Sequence, residues 1–292
     1  MNGILLVDKP EGTSSAGVIR LLKPLLCDAK VGHLGTLDPF ASGLLPLCVG
    51  EATKIARYLL LERKAYTGTI QLGTATDTLD RTGAVTESAA VPELAPTILA
   101  DVASRFRGAS EQVPPMYSAL KRDGVPLYKL ARRGIEVERA PRRIEIETLE
   151  LTQTTPEVLA FRVACSKGTY VRVLAADIGR ALGTVAHLSS LRRTVVGSFR
   201  VDEAATPDQL LRCDGPVPFV PVRDALGGRT AFELPPDSLA RLRQGQQGAL
   251  RELPLARGPE AALVVAANGG VVGIIEQSST GTWRLVRLLN EA

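Results

Sequence analysis

Apolar residues in this chain keep no single spacing. They switch irregularly between the two-residue period of a strand and the three-to-four-residue period of a helix, and no strand–helix–strand unit repeats. A doubly wound parallel sheet needs that repeat, so the pattern points instead to an α+β chain built on a mixed sheet. Gly3–Asp8 reads as a buried strand ending at Pro10 and Gly12. Ser14 or Ser15 can cap the next helix, whose Val18, Leu21, Leu22 and Leu25 share a face, with Pro24 to kink or end it. Residues 66–72 alternate cleanly, which places Tyr66, Ile70 and Leu72 on the inward side of a half-buried strand. Residues 97–107 read as a helix through Ile98, Leu99, Val102 and Phe106, stopped by Gly108. Two further strands follow at 144–151 and 159–165. A helix then runs through Val171, Leu174, Ala175, Ile178 and Leu182 to Gly183.

Two domains are expected, because 292 residues exceed what one core usually organises. The break falls near 207–228, where Pro216, Pro218, Pro221, Gly227 and Gly228 mark a linker. Beyond it lie a short helix at 238–243 and strands at 263–267, 271–276 and 283–289, with turns at Asn268-Gly269-Gly270 and Thr280-Gly281. The division expected is therefore 1–226 and a small β-rich unit at 229–292. The longest apolar run, Ala261–Ala267, is too short to cross a bilayer. Ile4–Val7 offers four apolar residues before Asp8, Lys9 and Pro10, unlike a signal peptide, so a cytoplasmic protein is expected. Cys27, Cys48, Cys165 and Cys213 form no CxxC pair, which argues against a disulfide framework or a zinc site.

The formal charge of +4 is compatible with a polyanionic partner without demanding one. Its distribution says more. Lys121, Arg122, Lys129, Arg132, Arg133, Arg139, Arg142 and Arg143 face only Asp123, Glu136 and Glu138 within one short segment. A solvated helix and loop would explain this. A nucleic-acid surface would too, and Tyr117 and Tyr128 nearby could stack on bases.

The densest unusual stretch is Gly32-His33-Leu34-Gly35-Thr36-Leu37-Asp38-Pro39-Phe40-Ala41-Ser42-Gly43-Leu44-Leu45-Pro46. Three glycines and two prolines make a stiff, irregular loop around one histidine and one aspartate. Asp38 could simply close an Asx turn ahead of Pro39. Other chemistries lack their signatures. Gly50-Glu51-Ala52-Thr53-Lys54 is not in P-loop order, His33 and His187 form no metal-binding pair, and no GxSxG elbow exists. Asp77 and Asp80 could hold magnesium, although such a cluster more often bonds its own backbone.

Gly32-His33-Leu34-Gly35-Thr36-Leu37-Asp38-Pro39 closely resembles the catalytic motif of the bacterial TruB family of tRNA pseudouridine-55 synthases. Further motifs follow in the family's order. They are Val7-Asp8-Lys9-Pro10-Glu11-Gly12, Gly50–Lys54, Thr76–Asp80, Pro115–Lys121, Cys165–Arg172 and Leu191-Arg192-Arg193. The likeness covers about residues 1–200, and the tail is similar to a PUA domain, a small RNA-binding pseudobarrel. It implies the pseudouridine synthase fold, a mixed, mainly antiparallel sheet flanked by helices with a PUA-like end.

It also implies an activity: isomerisation of uridine 55 in the T-loop of tRNA, by base flipping, with no cofactor and no metal. By resemblance Asp38 is the essential carboxylate, Arg172 its ionic partner and Tyr66 the tyrosine against the flipped uracil. His33 occupies the space the base leaves, and Leu191 borders the base. Lys9, Asp77, Lys121 and Tyr170 join the substrate-binding set, and the basic insertion at about 115–143 closes over the T-arm with Arg132, Arg133, Arg142 and Arg143. The expected partner is the tRNA T-arm, with no membrane and no obligate protein partner, the chain acting as a monomer. Two other readings of the same residues remain open: an RNA-binding chaperone that folds tRNA without turnover, and a guide-RNA-dependent synthase.

Overall fold

The computed structural model describes residues 1–60, 62–254, 261–279 and 281–290. A ten-stranded sheet organises most of the chain. Its order runs Phe219–Val220, Gly3–Lys9, Ser42–Val49, Ala186–Val196, Lys64–Leu72, Val158–Cys165, Arg142–Thr155 and Gly108–Gln112. Val31–His33 pairs beside Ser42–Val49, and Phe199–Arg200 beside Ala186–Val196. Every pairing is antiparallel except that of Ser42–Val49 with Ala186–Val196. The sheet is thus mixed and mainly antiparallel, as expected.

The first strand shows why. Leu5 and Val7 point into one core, where helices Ser15–Leu22, Pro96–Phe106 and Val171–Ala181 pack. Ile4 and Leu6 point into a second core on the other face, with Leu44, Cys48, Ile55 and Leu59. Both faces of Gly3–Lys9 are buried, so its sequence reads as a continuous apolar run. Lys64–Leu72 has one wetter face and alternates. Ser14 caps the first helix by accepting from the Gly17 amide at 3.0 Å.

Three expectations need correction. Leu21 and Ile98 are exposed, because each short helix buries a narrow stripe: Val18 with Leu22, and Leu99 with Val102 and Ala103. The stretch 207–228 is not a bare linker either. Its Phe219–Val220 strand pairs with Ile4 and Leu5 at the sheet edge, and helices Pro207–Leu211 and Val222–Ala225 pack alongside.

The C-terminal region forms a four-stranded sheet, Ala231–Glu233, Ala261–Val265, Val271–Gln277 and Trp283–Leu288, with helix Pro236–Arg243. Thr280 of the expected turn lies outside the described residues. One face of this sheet has its own core around Trp283, Leu242 and Leu250. Its other face sends Leu263, Val265, Val271 and Ile274 into the second core, which also holds Ile4 and Leu44. Polar contacts cross the same junction. Lys54 donates to the Leu288 carbonyl at 3.0 Å, and Glu276 accepts from Arg57 and Tyr58 at 2.5 and 2.8 Å. Among the described residues no helix is long and apolar enough to cross a membrane.

Candidate active site

Val31–His33 and Ser42–Val49 pair antiparallel, and the chain between them makes the tight excursion that carries Asp38. Leu37 and Phe40 are buried on either side of it and anchor the loop. The Ser15 hydroxyl accepts from the Leu37 amide at 2.9 Å and donates to the Leu37 carbonyl at 3.1 Å. Pro39 is fastened through its carbonyl, which accepts from the Gly12 amide at 2.8 Å. Gly43 has a φ of +101°, and a Cβ there would stand 2.3 Å from the Arg193 carbonyl oxygen. Only glycine lets the two parallel strands approach so closely. The turn at 38–41 is closed by the Asp38 backbone, whose carbonyl accepts from the Ala41 amide at 3.1 Å. The carboxylate is therefore left free to look elsewhere.

It faces Arg172. Oδ2 lies 2.9 Å from Nε, and Oδ1 accepts from Nη2 at 3.4 Å, so the two planar groups meet edge to edge. The guanidinium is buried while the carboxylate side chain keeps about a third of its surface, 34 %. Arg172 also donates to the carbonyls of Thr78 (2.9 Å) and Tyr117 (2.8 Å). Its Nη1 lies 3.6 Å from Oδ2 of Asp80. Asp80 is buried too, with Oδ1 accepting from the Thr78 hydroxyl, the Thr82 amide and the Thr82 hydroxyl. One cation thus serves two carboxylates. Burial raises the Asp38 pKa; Arg172 pulls it down, Asp80 pushes it up again, and Lys9 lowers it, with a net shift above the ordinary 3.8.

Tyr66 stands inward on its strand, 8 % exposed, and burial raises its pKa. Its cross-strand partner is Arg193, which the sequence reading quoted within a motif but gave no role. Arg193 is 1 % exposed, with Nε donating to the Leu44 carbonyl (2.7 Å) and Nη2 to that of Gly35 (3.0 Å). Leu191, 6 % exposed, sits opposite Gly68 in the first core. Tyr170 precedes the Arg172 helix. Its amide donates to Oε1 of Gln112 (2.8 Å), and its carbonyl accepts from Nε2 of the same glutamine (3.2 Å). Burial raises the Tyr170 pKa, and the charges of Arg142, Arg172 and Asp38 all reach it. Half-buried His33 has its pKa lowered by burial and by Arg193, so its ring is neutral at pH 7. Its Nδ1 is buried with no hydrogen-bond partner among the described residues.

Lys9 corrects an expectation. Its ammonium donates to the carbonyls of Pro10 (2.9 Å), Thr13 (2.7 Å) and Pro39 (3.3 Å), and the residue is fully buried. Three acceptors use its three protons, so nothing is left for RNA. Lys9 is a clamp that ties the first turn to the Asp38 loop. Burial brings its pKa down to about 8, against the pull of Asp38 and Glu11, and it stays protonated at neutral pH. Asp77 is exposed and accepts from the Ala84 amide (2.9 Å) and, at 3.4 Å, from the Tyr117 hydroxyl. Asp77 and Asp80 are committed to separate partners, and among the described residues no group of three or more His, Cys, Asp or Glu side chains is arranged to hold a metal ion.

The basic residues Lys121, Arg132, Arg133, Arg142 and Arg143 are all exposed. Among the described residues none of the five has an ionic partner, whereas Arg139 pairs with Glu136. The charge of Arg142 acts on Tyr170. The site gathers Asp38, Arg172, Tyr66, Tyr170 and His33 and adds Asp80, Arg193 and Gln112. Asp80 was legible only as a carboxylate in a turn. Gln112 carried no signal.

Comparison with known proteins shows the family. Residues 23–171 match the family model described as TruB family pseudouridylate synthase (N terminal domain), and residues 172–214 match that of the tRNA pseudouridylate synthase B C-terminal domain. A protein of Bordetella avium named tRNA pseudouridine synthase B is 54% identical over 214 residues, 72% of this chain and 87% of that protein. One of the same name from Azoarcus sp. is 44% identical over 292 residues, 99% of this chain and 95% of that protein. Among solved structures, a chain of a Cbf5-Nop10-Gar1 complex superposes with a TM-score of 0.71 at 24% identity, covering 99% of this chain and 84% of that one. That last likeness is one of fold.

Proposed function

The chain belongs to the TruB family and forms pseudouridine in tRNA, and from that premise we propose that it isomerises uridine 55 of the T-loop through the carboxylate of Asp38. The observation that carries the reading is a one-third-exposed carboxylate held edge to edge by a buried arginine in a loop fastened from three sides.

The reaction breaks the C1′–N1 bond, turns the uracil and joins C1′ to C5. The C5 proton then leaves and N1 gains one, so the sum is an isomerisation. An ionised carboxylate serves either route to bond breaking, attack at C1′ or proton removal at C2′. Arg172 keeps it ionised despite burial, and the fork also fixes its direction. On this reading Tyr66, Leu191 and Tyr170 would border the flipped uracil. Tyr66 would take the C5 proton, and neutral His33 would fill the gap that the base leaves. Extruding the base costs about a few kcal/mol, which contacts to the rest of the T-arm offset. The exposed cations at 121–143 supply phosphate affinity, and shape supplies selectivity. Residues 229–292 act as a PUA-like RNA-binding unit of a monomeric, cytoplasmic enzyme.

The test is incubation of the purified chain with an unmodified tRNA transcript, with and without added guide RNA, followed by mapping of pseudouridine. Modification at position 55 without guide RNA is the expected result. Binding without modification would favour an RNA chaperone, and dependence on guide RNA a particle-bound enzyme.

A further inference from the structure

Arg193 is a large buried cation with no carboxylate partner among the described residues. Two of its nitrogens serve backbone carbonyls: Leu44 in the strand after the Asp38 loop, and Gly35 within the loop itself. The same carbonyls could have been held by a neutral side chain, so carbonyl bonding alone does not explain a charge that burial opposes. The remaining feature of its surroundings is Tyr66. The two residues are register partners across neighbouring strands, and the guanidinium charge acts on the phenol. Arg193 thus stands behind Tyr66 while Arg172 stands beside Asp38.

We propose that Arg193 is a positioning residue for the reaction, acting through Tyr66 by donating to its phenol oxygen and stabilising the phenolate that takes the C5 proton. The inference rests on the proposed role of Tyr66. In the step, the C5–H bond breaks, its electrons return to the uracil ring and the proton passes to the phenolate oxygen, leaving a neutral phenol whose oxygen keeps the guanidinium's hydrogen bond. No other reactant is needed. Three charged or titratable groups act on Tyr66: Arg193 favours the phenolate, while Cys165 on the adjoining strand and Asp38 oppose it. Around Arg193 itself stand Lys9, Lys64 and His33, each of which feels its charge. A positive field therefore backs the tyrosine, and Asp38 lies on the other side.

The experiment measures single-turnover tritium release from tRNA labelled at uridine C5, across pH 6 to 10, for the wild type, Arg193→Gln, Arg193→Lys, Tyr66→Phe and the Arg193→Gln/Tyr66→Phe double variant. Glutamine keeps a donor for the carbonyls and removes the charge. The expected outcome is a rate at pH 7.5 at least tenfold down in Arg193→Gln, with tRNA affinity within twofold of wild type. Its rising limb should move to higher pH, with Arg193→Lys between the two. In the Tyr66→Phe background, Arg193→Gln should cost less than a further twofold. An unmoved pH profile, or losses that multiply in the double variant, overturns the role of Arg193. Full activity of Tyr66→Phe instead removes the role of Tyr66, and the inference with it. If neither Arg193 variant folds, the guanidinium 15N resonances of Arg193 decide. They should shift in Tyr66→Phe and stay still in Tyr58→Phe, and unchanged resonances in Tyr66→Phe overturn the proposal.

Discussion

At the residue scale, the state of Asp38 turns on three neighbours that disagree. Burial and Asp80 favour the protonated acid, and Arg172 and Lys9 favour the carboxylate. Protonation removes the reactive form, so turnover should rise with pH through a midpoint above 3.8, and single-turnover rates measured from pH 4 upward check this. Arg172→Ala leaves buried Asp80 and partly exposed Asp38 without their cation. We expect a rate loss of about 100-fold or more, a midpoint moved further up, and an intact fold by circular dichroism. Arg172→Lys should rescue little, because one ammonium cannot serve Asp38, Asp80 and two carbonyls at once. Wild-type rates in either variant would remove the pair from the chemistry. The motif containing Asp38 was plain in the sequence, but its partnership with Arg172, 134 residues away, was not. That link came from the resemblance alone. Lys9 misled for a related reason: the resemblance puts it in the substrate-binding set, and only the fold shows the three carbonyl acceptors that hold its ammonium.

At the element scale, the loop is held by strand register and by small side chains rather than by its own hydrogen bonds. Gly43 admits the Arg193 backbone, and the Ser15 hydroxyl closes both polar groups of Leu37. Gly43→Ala combines an unfavourable φ with a 2.3 Å clash against backbone, and should destabilise the protein by about 2 kcal/mol or more in urea titration. A neutral result would mean that the parallel pair is not rigid. Strand existence was legible wherever burial is one-sided or complete, as at Lys64–Leu72 and Gly3–Lys9. Strand order was not. The parallel contact between Ser42–Val49 and Ala186–Val196 joins segments far apart in sequence, and it is this contact that brings Arg193 beneath the loop. Helix faces were overread at Leu21 and Ile98 because a helix of two or three turns needs only two or three inward residues.

For the whole molecule, the proline- and glycine-rich stretch near 207–228 reads as a linker, yet the C-terminal sheet shares a core with the catalytic sheet. Cutting the chain after residue 228 would take Leu263, Val265, Val271 and Ile274 out of the shared core, each worth about 1.5–3 kcal/mol of burial. The fragment 1–228 should therefore melt well below the full chain or aggregate, and a fragment of equal stability would show two independent domains. The basic segment makes a separate prediction. Neutralising Arg132, Arg133, Arg142 and Arg143 together should weaken tRNA binding and flatten its log–log salt dependence by up to about one unit per lost phosphate contact. An unchanged slope would take the segment out of the interface. The central claim remains the carboxylate, and its most direct test is Asp38→Asn, which keeps the shape and removes the charge. Incubated with an unmodified tRNA transcript, this variant should bind as the wild type does and form no pseudouridine at position 55; pseudouridine formed there at the wild-type rate would contradict the account.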